Sequence, residues 1–289
     1  MFKKICQMSQ KDLKKFVAEQ LQETHGTVFM EDGYVYAQGQ MPVLLVAHLD
    51  TVHEHLPTQI YYDKASDSIF SPQGIGADDR CGVYMIFEVI KKYNCSVLFC
   101  EDEEIGGVGA EKFTKSKLAN KLDFNYMIEF DRQGHNDAVF YHCGNEEFEE
   151  FITKDFYKTA TGTFSDISVL APFFGCAAVN LSCGYYNAHT KDEFVVMYEM
   201  KESIQAACKI LERTTEKDKF EYIESYSRYG TYIYDWADDE RTFLIEYIKE
   251  NSDVYDWVEI NAQTKAEAVG KFCMQHPNIP YAKIDIYEC

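Results

Sequence analysis

The chain has 289 residues, with 28 basic and 48 acidic side chains and a net charge of −20 at pH 7. At 46% hydrophobic and 15% aromatic residues it can bury a full core, which excludes a wholly disordered chain. The surplus of acid repels phosphate backbones and anionic lipid heads, so neither nucleic acid nor a membrane surface is an expected partner.

No apolar run approaches the ~18 residues of a membrane span, the longest being stretches such as Pro42–Ala47. Met1–Gln10 carries lysines with no apolar stretch after them, so no secretory leader is expected. The ten cysteines stand singly with no CxxC pair, the pattern of reduced, buried thiols in a cytoplasmic protein.

In chain order, Ser9–Thr24 offers a serine cap and then Leu13, Phe16, Val17 and Leu21 at helical spacing, closed by Gly26. Thr27–Gly39 reads as a hairpin turning at Asp32-Gly33. Pro42–Ala47 is a buried strand that ends in His-Leu-Asp, and Ile60–Phe70 is a second hairpin. Cys81–Tyr93 follows the helical period. Cys95–Cys100 is a strand that runs straight into four acidic residues. Phe124–Phe130 and Ala177–Ser182 repeat the strand pattern, and Val195–Arg213 is a long helix. Strands alternating with helices predict an α/β fold, a three-layer α/β/α sandwich around a mixed, mostly parallel sheet. In such sheets ligands bind at the C-terminal ends of the strands, where this chain puts its polar residues.

The texture changes near residue 215. Thr215–Cys289 holds 16 acidic and 8 basic residues, both tryptophans and 9 of the 21 tyrosines. A strand at Trp257–Ile260, a helix at Thr264–Met274 and a strand at Ala282–Tyr287 predict a small α+β appendix. The expected domains are therefore residues 1–214 and 215–289.

Five clusters carry the chemistry: His48-Leu-Asp50, Asp78-Asp79, Glu103-Glu104, Asp131 and His189. Singly, each has an ordinary reading as a helix cap, a solvated charge run or a hydrogen-bonded histidine. Brought to one sheet edge, so many carboxylates would repel or be desolvated unless cations paired them. Two histidines with several carboxylates suit zinc or a related divalent metal, and two such sites sharing a carboxylate would activate water.

The strings VAHLDTVHEH, GIGADDRCGV, FCEDEEIGGVGA, IEFDR and GYYNAHTKDEF resemble the co-catalytic zinc metallopeptidases, the superfamily of peptidase T, the glutamate carboxypeptidases and the bacterial and tetrahedral aminopeptidases. All five occur in the family order, within residues 1–214. The resemblance implies two divalent ions, zinc first and cobalt or manganese as alternatives. It implies His48 and Asp131 on one, Glu104 and His189 on the other, and Asp78 bridging, with a cis peptide to Asp79. It also makes Glu103 the base that takes a proton from a metal-bridging water and returns it to the leaving amine. Asp50, two residues along the strand from His48, matches the acid that fixes the imidazole tautomer.

Other residues remain secondary. Glu129 is the alternative to Asp131, which is preferred because it lies at the strand end. His53 and His55 are expected at the loop surface, and Cys100, Cys143 and Cys183 are expected to be structural. Ser165-Asp166 reads first as a helix cap and second as part of a substrate wall.

Lidded relatives insert a domain on the order of 100 residues between the last two ligands. Here Asp131 and His189 are separated by 57 residues, and His48 and Asp78 by 29, so a lidless catalytic domain is expected. The lid histidine that stabilises the oxyanion in those relatives then has no counterpart, and Tyr185 or Tyr186 is the expected substitute. The cations near the site are Arg80, Arg132 and Lys191, against a dominant acidic field that favours a substrate ammonium group. An aminopeptidase acting on small peptides is expected. The alternatives are an N-acyl amidohydrolase or carboxypeptidase anchored by Arg132, and a metal-keeping binding protein without turnover. No oligomer is indicated.

Overall fold

The computed structural model describes residues 1–225, 241–248, 255–262, 272 and 284–288. The chain divides into two compact units, Met1–Ser227 and Arg228–Cys289.

The first unit opens with α1 (Phe2–Cys6) and α2 (Gln10–His25), where the Ser9 hydroxyl accepts the Asp12 N–H as an N-cap. The hairpin β1 (Val28–Glu31) and β2 (Tyr34–Ala37) leads to β3 (Met41–His48). A short hairpin, β4 (Tyr61–Asp63) and β5 (Ser68–Phe70), precedes α3 (Ala77–Ile90) and β6 (Cys95–Cys100). Next come α4 (Val108–Thr114), β7 (Tyr126–Arg132), β8 (Asp137–Val139), α5 (Glu146–Thr153), β9 (Lys158–Ala160) and α6 (Asp166–Phe174). The unit closes with β10 (Ala178–Ser182), β11 (Tyr185–Tyr186), β12 (Phe194–Val196) and α7 (Met197–Arg213).

Eight strands form the main sheet in the order β1-β2-β6-β3-β7-β10-β8-β9. Its four central strands β6, β3, β7 and β10 are parallel, while β2 and β8 flank them antiparallel. The strand sequences are apolar on both faces because both faces are covered. Val43, Leu45 and Ala47 pack with residues of α1, α2, α3 and α7. Leu44 and Val46 face the other way, onto Phe113 of α4 and Ile167 and Leu170 of α6. Each such side chain removed from water stabilises by about 1.5–3 kcal/mol, so helices are required on both sides. This is the expected α/β/α sandwich.

A glycine sets how closely α3 approaches the sheet. A Cβ on Gly82 would overlap the Phe130 carbonyl oxygen and the Asp79 carboxylate. The second sheet, β11-β12-β5-β4, is wholly antiparallel and brings the Ile60–Phe70 hairpin beside the turn that carries His189.

The boundary falls later than the change in composition near residue 215 suggests. Phe220 is 9% exposed and packs among Tyr126, Phe148 and Phe151. Its carbonyl accepts the Ala177 N–H at 2.8 Å, and the Ile223 carbonyl accepts that of Gly144 at 2.7 Å. The acidic residues around Phe220 are the solvated side of a strap that belongs to the first unit.

In the second unit β13 (Arg241–Ile248) lies between β14 (Tyr255–Ala262) and β15 (Ile284–Glu288), antiparallel to both. The two strands expected from the sequence coincide with β14 and β15. The central β13 was not anticipated, and the helix expected at Thr264–Met274 lies, Phe272 apart, outside the described residues.

Candidate metal centre

The residues singled out in the sequence converge at the C-terminal edge of the parallel strands. His48 is the last residue of β3, Glu103 and Glu104 follow β6, and Asp131 lies near the end of β7. Asp78 enters from the start of α3, across a cis peptide to Asp79, and His189 from the β11–β12 turn.

Asp78 stands between the two imidazoles. Its Oδ1 lies 3.1 Å from His48 Nε2 and its Oδ2 lies 3.2 Å from His189 Nε2. Asp131 Oδ1 is 3.4 Å from the same His48 nitrogen, and Glu104 Oε2 is 3.1 Å from that of His189. Each ring nitrogen therefore faces two carboxylates, with Asp78 common to both sets. Glu129 is instead fully buried behind the edge, where its carboxylate meets the Ser165 hydroxyl. Asp79 lies near His48 and Asp131, yet its oxygens take the backbone N–H groups of His48 and Gly82.

A further set of contacts fixes these groups. Asp50 Oδ1 lies 3.1 Å from His48 Nδ1 and accepts the Glu103 N–H, while Oδ2 accepts the Glu104 N–H at 3.0 Å. One carboxylate thus orients the His48 ring and the turn of both glutamates. With a proton on Nδ1, the His48 Nε2 lone pair points at Asp78 and Asp131. Asp131 Oδ2 accepts from the Ser165 hydroxyl at 3.0 Å and from Asn180 Nδ2 at 3.3 Å.

The donor set fits divalent cations. Ligand bonds of about 2.0–2.2 Å at tetrahedral angles give edges of roughly 3.3–3.6 Å between ligand atoms. The four imidazole–carboxylate separations of 3.1–3.4 Å lie at or just below that edge. Glu104 Oε1 is buried without a hydrogen-bond partner, an acceptor that a cation would satisfy.

Without a cation, protons must hold these charges apart. Burial works against a charged His48, yet the carboxylates of Asp131, Asp50 and Asp78 raise its pKa well above the ordinary value. The Asp78 carboxylate raises His189 to about 9. Burial pushes Glu103 up to about 9, Glu104 to about 7 and Asp131 to about 6, with neighbouring carboxylates adding to each. Burial would also raise Asp78, but the two imidazoles hold it below the usual carboxylate range.

The expected substrate contacts fare differently. The Tyr185 hydroxyl donates to the Asp131 carbonyl oxygen and the side chain is buried. Tyr186 donates to Glu199 at 2.5 Å and stacks on Phe194. Each phenolic proton is engaged inside the protein, so neither tyrosine is placed as the expected oxyanion donor. Arg132 faces Asp137 at 3.4 Å. Arg80 is buried and donates to the carbonyls of Leu49 and Met8. His53 is not the surface residue expected: its Nε2 lies 3.2 Å from Glu193, whereas His55 is exposed as anticipated. Ser165 is the N-cap of α6, completing a capping box with Ser168.

No protein-family model and no curated protein matches the sequence. Among solved structures, the chain is similar to the aminopeptidase PepT from Bacillus cereus, at 16% identity and a TM-score of 0.60, covering 73% of this chain and 96% of that one. A tripeptidase from Staphylococcus aureus matches at 12% identity and a TM-score of 0.60, over 73% and 95% of the two chains. An aminopeptidase from the archaeon Desulfurococcus kamchatkensis matches at 15% and 0.56, over 74% and 94%. The chain shares its fold with these solved peptidases. In this version of it, the 57 residues between Asp131 and His189 are occupied by β8, α5, β9, α6, β10 and β11. Among the described residues no helix is long and apolar enough to cross a membrane.

Proposed function

We propose that the chain is a two-metal hydrolase of peptide bonds, an aminopeptidase acting on small peptides from a lidless catalytic domain. The observation that carries this reading is the pair of imidazole–carboxylate sets sharing Asp78. His48 and Asp131 would hold one ion, Glu104 and His189 the other, and Asp78 would serve both. Bound there, two divalent ions would polarise the scissile carbonyl and make water nucleophilic at neutral pH.

The chain's own groups supply the rest. Burial raises the Glu103 carboxyl group in the metal-free chain, and bound cations would lower it again, leaving a carboxylate that could take a proton and return it to the leaving amine. Asp50 keeps the backbone of Glu103 and the ring of His48 in register. The open side of the site is the His189 side, whose ring is 53% exposed.

Substrate polarity follows from what the arginines do. Carboxylate-recognising hydrolases use arginine forks, and here Arg80 is buried on backbone carbonyls while Arg132 faces Asp137. The acidic surroundings favour a substrate ammonium group instead. Hydrolysis of a free dipeptide and of its N-acetylated form, each with zinc, cobalt or manganese added, tests the assignment. An aminopeptidase cleaves only the first. Preference for the acetylated form would establish an acyl amidohydrolase if acetate is released and a carboxypeptidase if the C-terminal amino acid is, and two bound metals with no turnover of either would establish a binding protein.

A further inference from the structure

Glu193, within GYYNAHTKDEF, stands at a junction in the structure. It lies four residues after His189, is 1% exposed and reaches the start of α3. Its Oε2 accepts the Ala77 N–H at 2.9 Å and its Oε1 accepts the Asp78 N–H at 3.2 Å. His53 Nε2, from the loop after Asp50, stands 3.2 Å from Oε2. One buried carboxylate therefore ties together the His189 turn, the backbone of Asp78 and the loop that follows His48.

The start of α3 explains why a distant residue is needed. Gly76, at φ 65°, precedes it with no side chain to offer, and the non-helical backbone angles of Asp78 and Asp79 leave the Ala77 and Asp78 N–H groups outside a regular helical turn. N–H groups at such a start have no intrahelical acceptor, and leaving them unpaired in a buried place is costly. Glu193 supplies the acceptor across 115 residues of sequence, from the same turn that supplies His189. An acceptor from a residue local to α3 would leave the His189 turn unconnected to Asp78.

We infer that Glu193 is a positioning residue that sets Asp78 and His189 at ligand distance from one another, so that its loss weakens the ion held by Glu104 and His189 more than the ion held by His48 and Asp131. The inference rests on the ligand assignment proposed above.

The test is zinc binding to the full chain, read by chelator competition, with thermal unfolding of the metal-free forms in parallel. Wild type is expected to bind two ions. Glu193→Gln is expected to keep one near its original affinity and to weaken the other by about 10–100-fold, the effect typical of removing a group that orients a ligand. Asn145→Ala serves as the control. It removes a buried cap remote from the site, where Asn145 accepts the Phe148 N–H and donates to the Glu221 carbonyl. It is expected to lower the unfolding temperature without moving either zinc affinity.

Equal affinities for both ions in wild type and Glu193→Gln would overturn the inference while leaving the ligand assignment intact. So would a shift no larger than that of the Asn145 variant. Failure of wild type to bind two ions would instead overturn the ligand assignment. Should Glu193→Gln not fold, His53→Ala carries the test from the rim of the same carboxylate. A weakening of one ion in the same direction is then expected, and unchanged binding overturns the inference.

Discussion

Replacing Asp50 by asparagine separates orientation from charge at the centre. Asp50 receives the Glu103 N–H and the His48 Nδ1 proton on Oδ1, and the Glu104 N–H on Oδ2. Asparagine keeps the shape but has one acceptor oxygen. If that oxygen takes the Oδ1 place, the new NH₂ group meets the Glu104 N–H, donor against donor; if it takes the Oδ2 place, it meets both His48 and Glu103. The smaller loss is one hydrogen bond to a charged acceptor, about 1.5–3 kcal/mol. At 1.36 kcal/mol per factor of ten, that is roughly 10–100-fold in zinc affinity. The assay is competition with a chromophoric chelator, followed by turnover of an aminoacyl p-nitroanilide at saturating zinc, with circular dichroism to confirm folding. A folded Asp50→Asn protein with wild-type zinc affinity and wild-type turnover would refute the assignment of Asp50 as the residue that orients His48 and the two glutamates.

The remaining predictions test other links. Glu103→Gln is expected to retain both ions but lose about 10²–10⁴-fold in turnover; activity within a few-fold of wild type would remove Glu103 as the base. Zinc binding is expected to release protons at pH 7, because the ligands bind deprotonated while the Asp78 carboxylate raises metal-free His189 to about 9 and burial raises Glu104 to about 7. Affinity therefore falls as pH drops through that range, and calorimetry in buffers of different ionisation enthalpy counts the protons; a count of zero contradicts the reading. Gly82→Ala reverses the usual preference of helices for alanine, worth about 1 kcal/mol. The added Cβ overlaps the Phe130 carbonyl, so net destabilisation of about 1–3 kcal/mol in urea unfolding is expected, and a stabilised variant would contradict the close packing of α3 on β7. Cys6, Cys81, Cys95, Cys100, Cys176 and Cys183 are buried, and burial raises their thiols, Cys6, Cys95 and Cys176 to about 12. They are expected to resist alkylation of the native protein at pH 8, read peptide by peptide by mass spectrometry, and rapid labelling of any of them would show that its segment opens.

Much of the first unit is legible locally. Ser9, the Asp32-Gly33 turn and the apolar runs of β3, β6, β7 and β10 declare their elements because caps, turns and strands depend on neighbouring residues. The polar residues after those runs mark the sheet edge, since a parallel strand buried on both faces leaves them nowhere else to go. What the sequence could not decide depends on direction and distance. Glu129 and Asp131 share a strand and a charge, and only the packed sheet shows that Asp131 faces His48 while Glu129 meets Ser165 in the interior. Tyr185 and Tyr186 sit in the right loop, yet their hydroxyls are claimed by Asp131 and Glu199. The change in composition near residue 215 suggested a boundary, but Phe220 docks between Tyr126 and Phe148 and carries its acidic neighbours with it. Glu193 carried no signal of its own, because its partners at Ala77 and Asp78 are backbone groups more than 100 residues away. The sequence by itself determined which residues could hold metal and in which elements they stand. The tertiary structure decided which atoms meet, because a hydrogen bond reaches only about 3 Å and spacing along a chain does not fix such a distance across a fold.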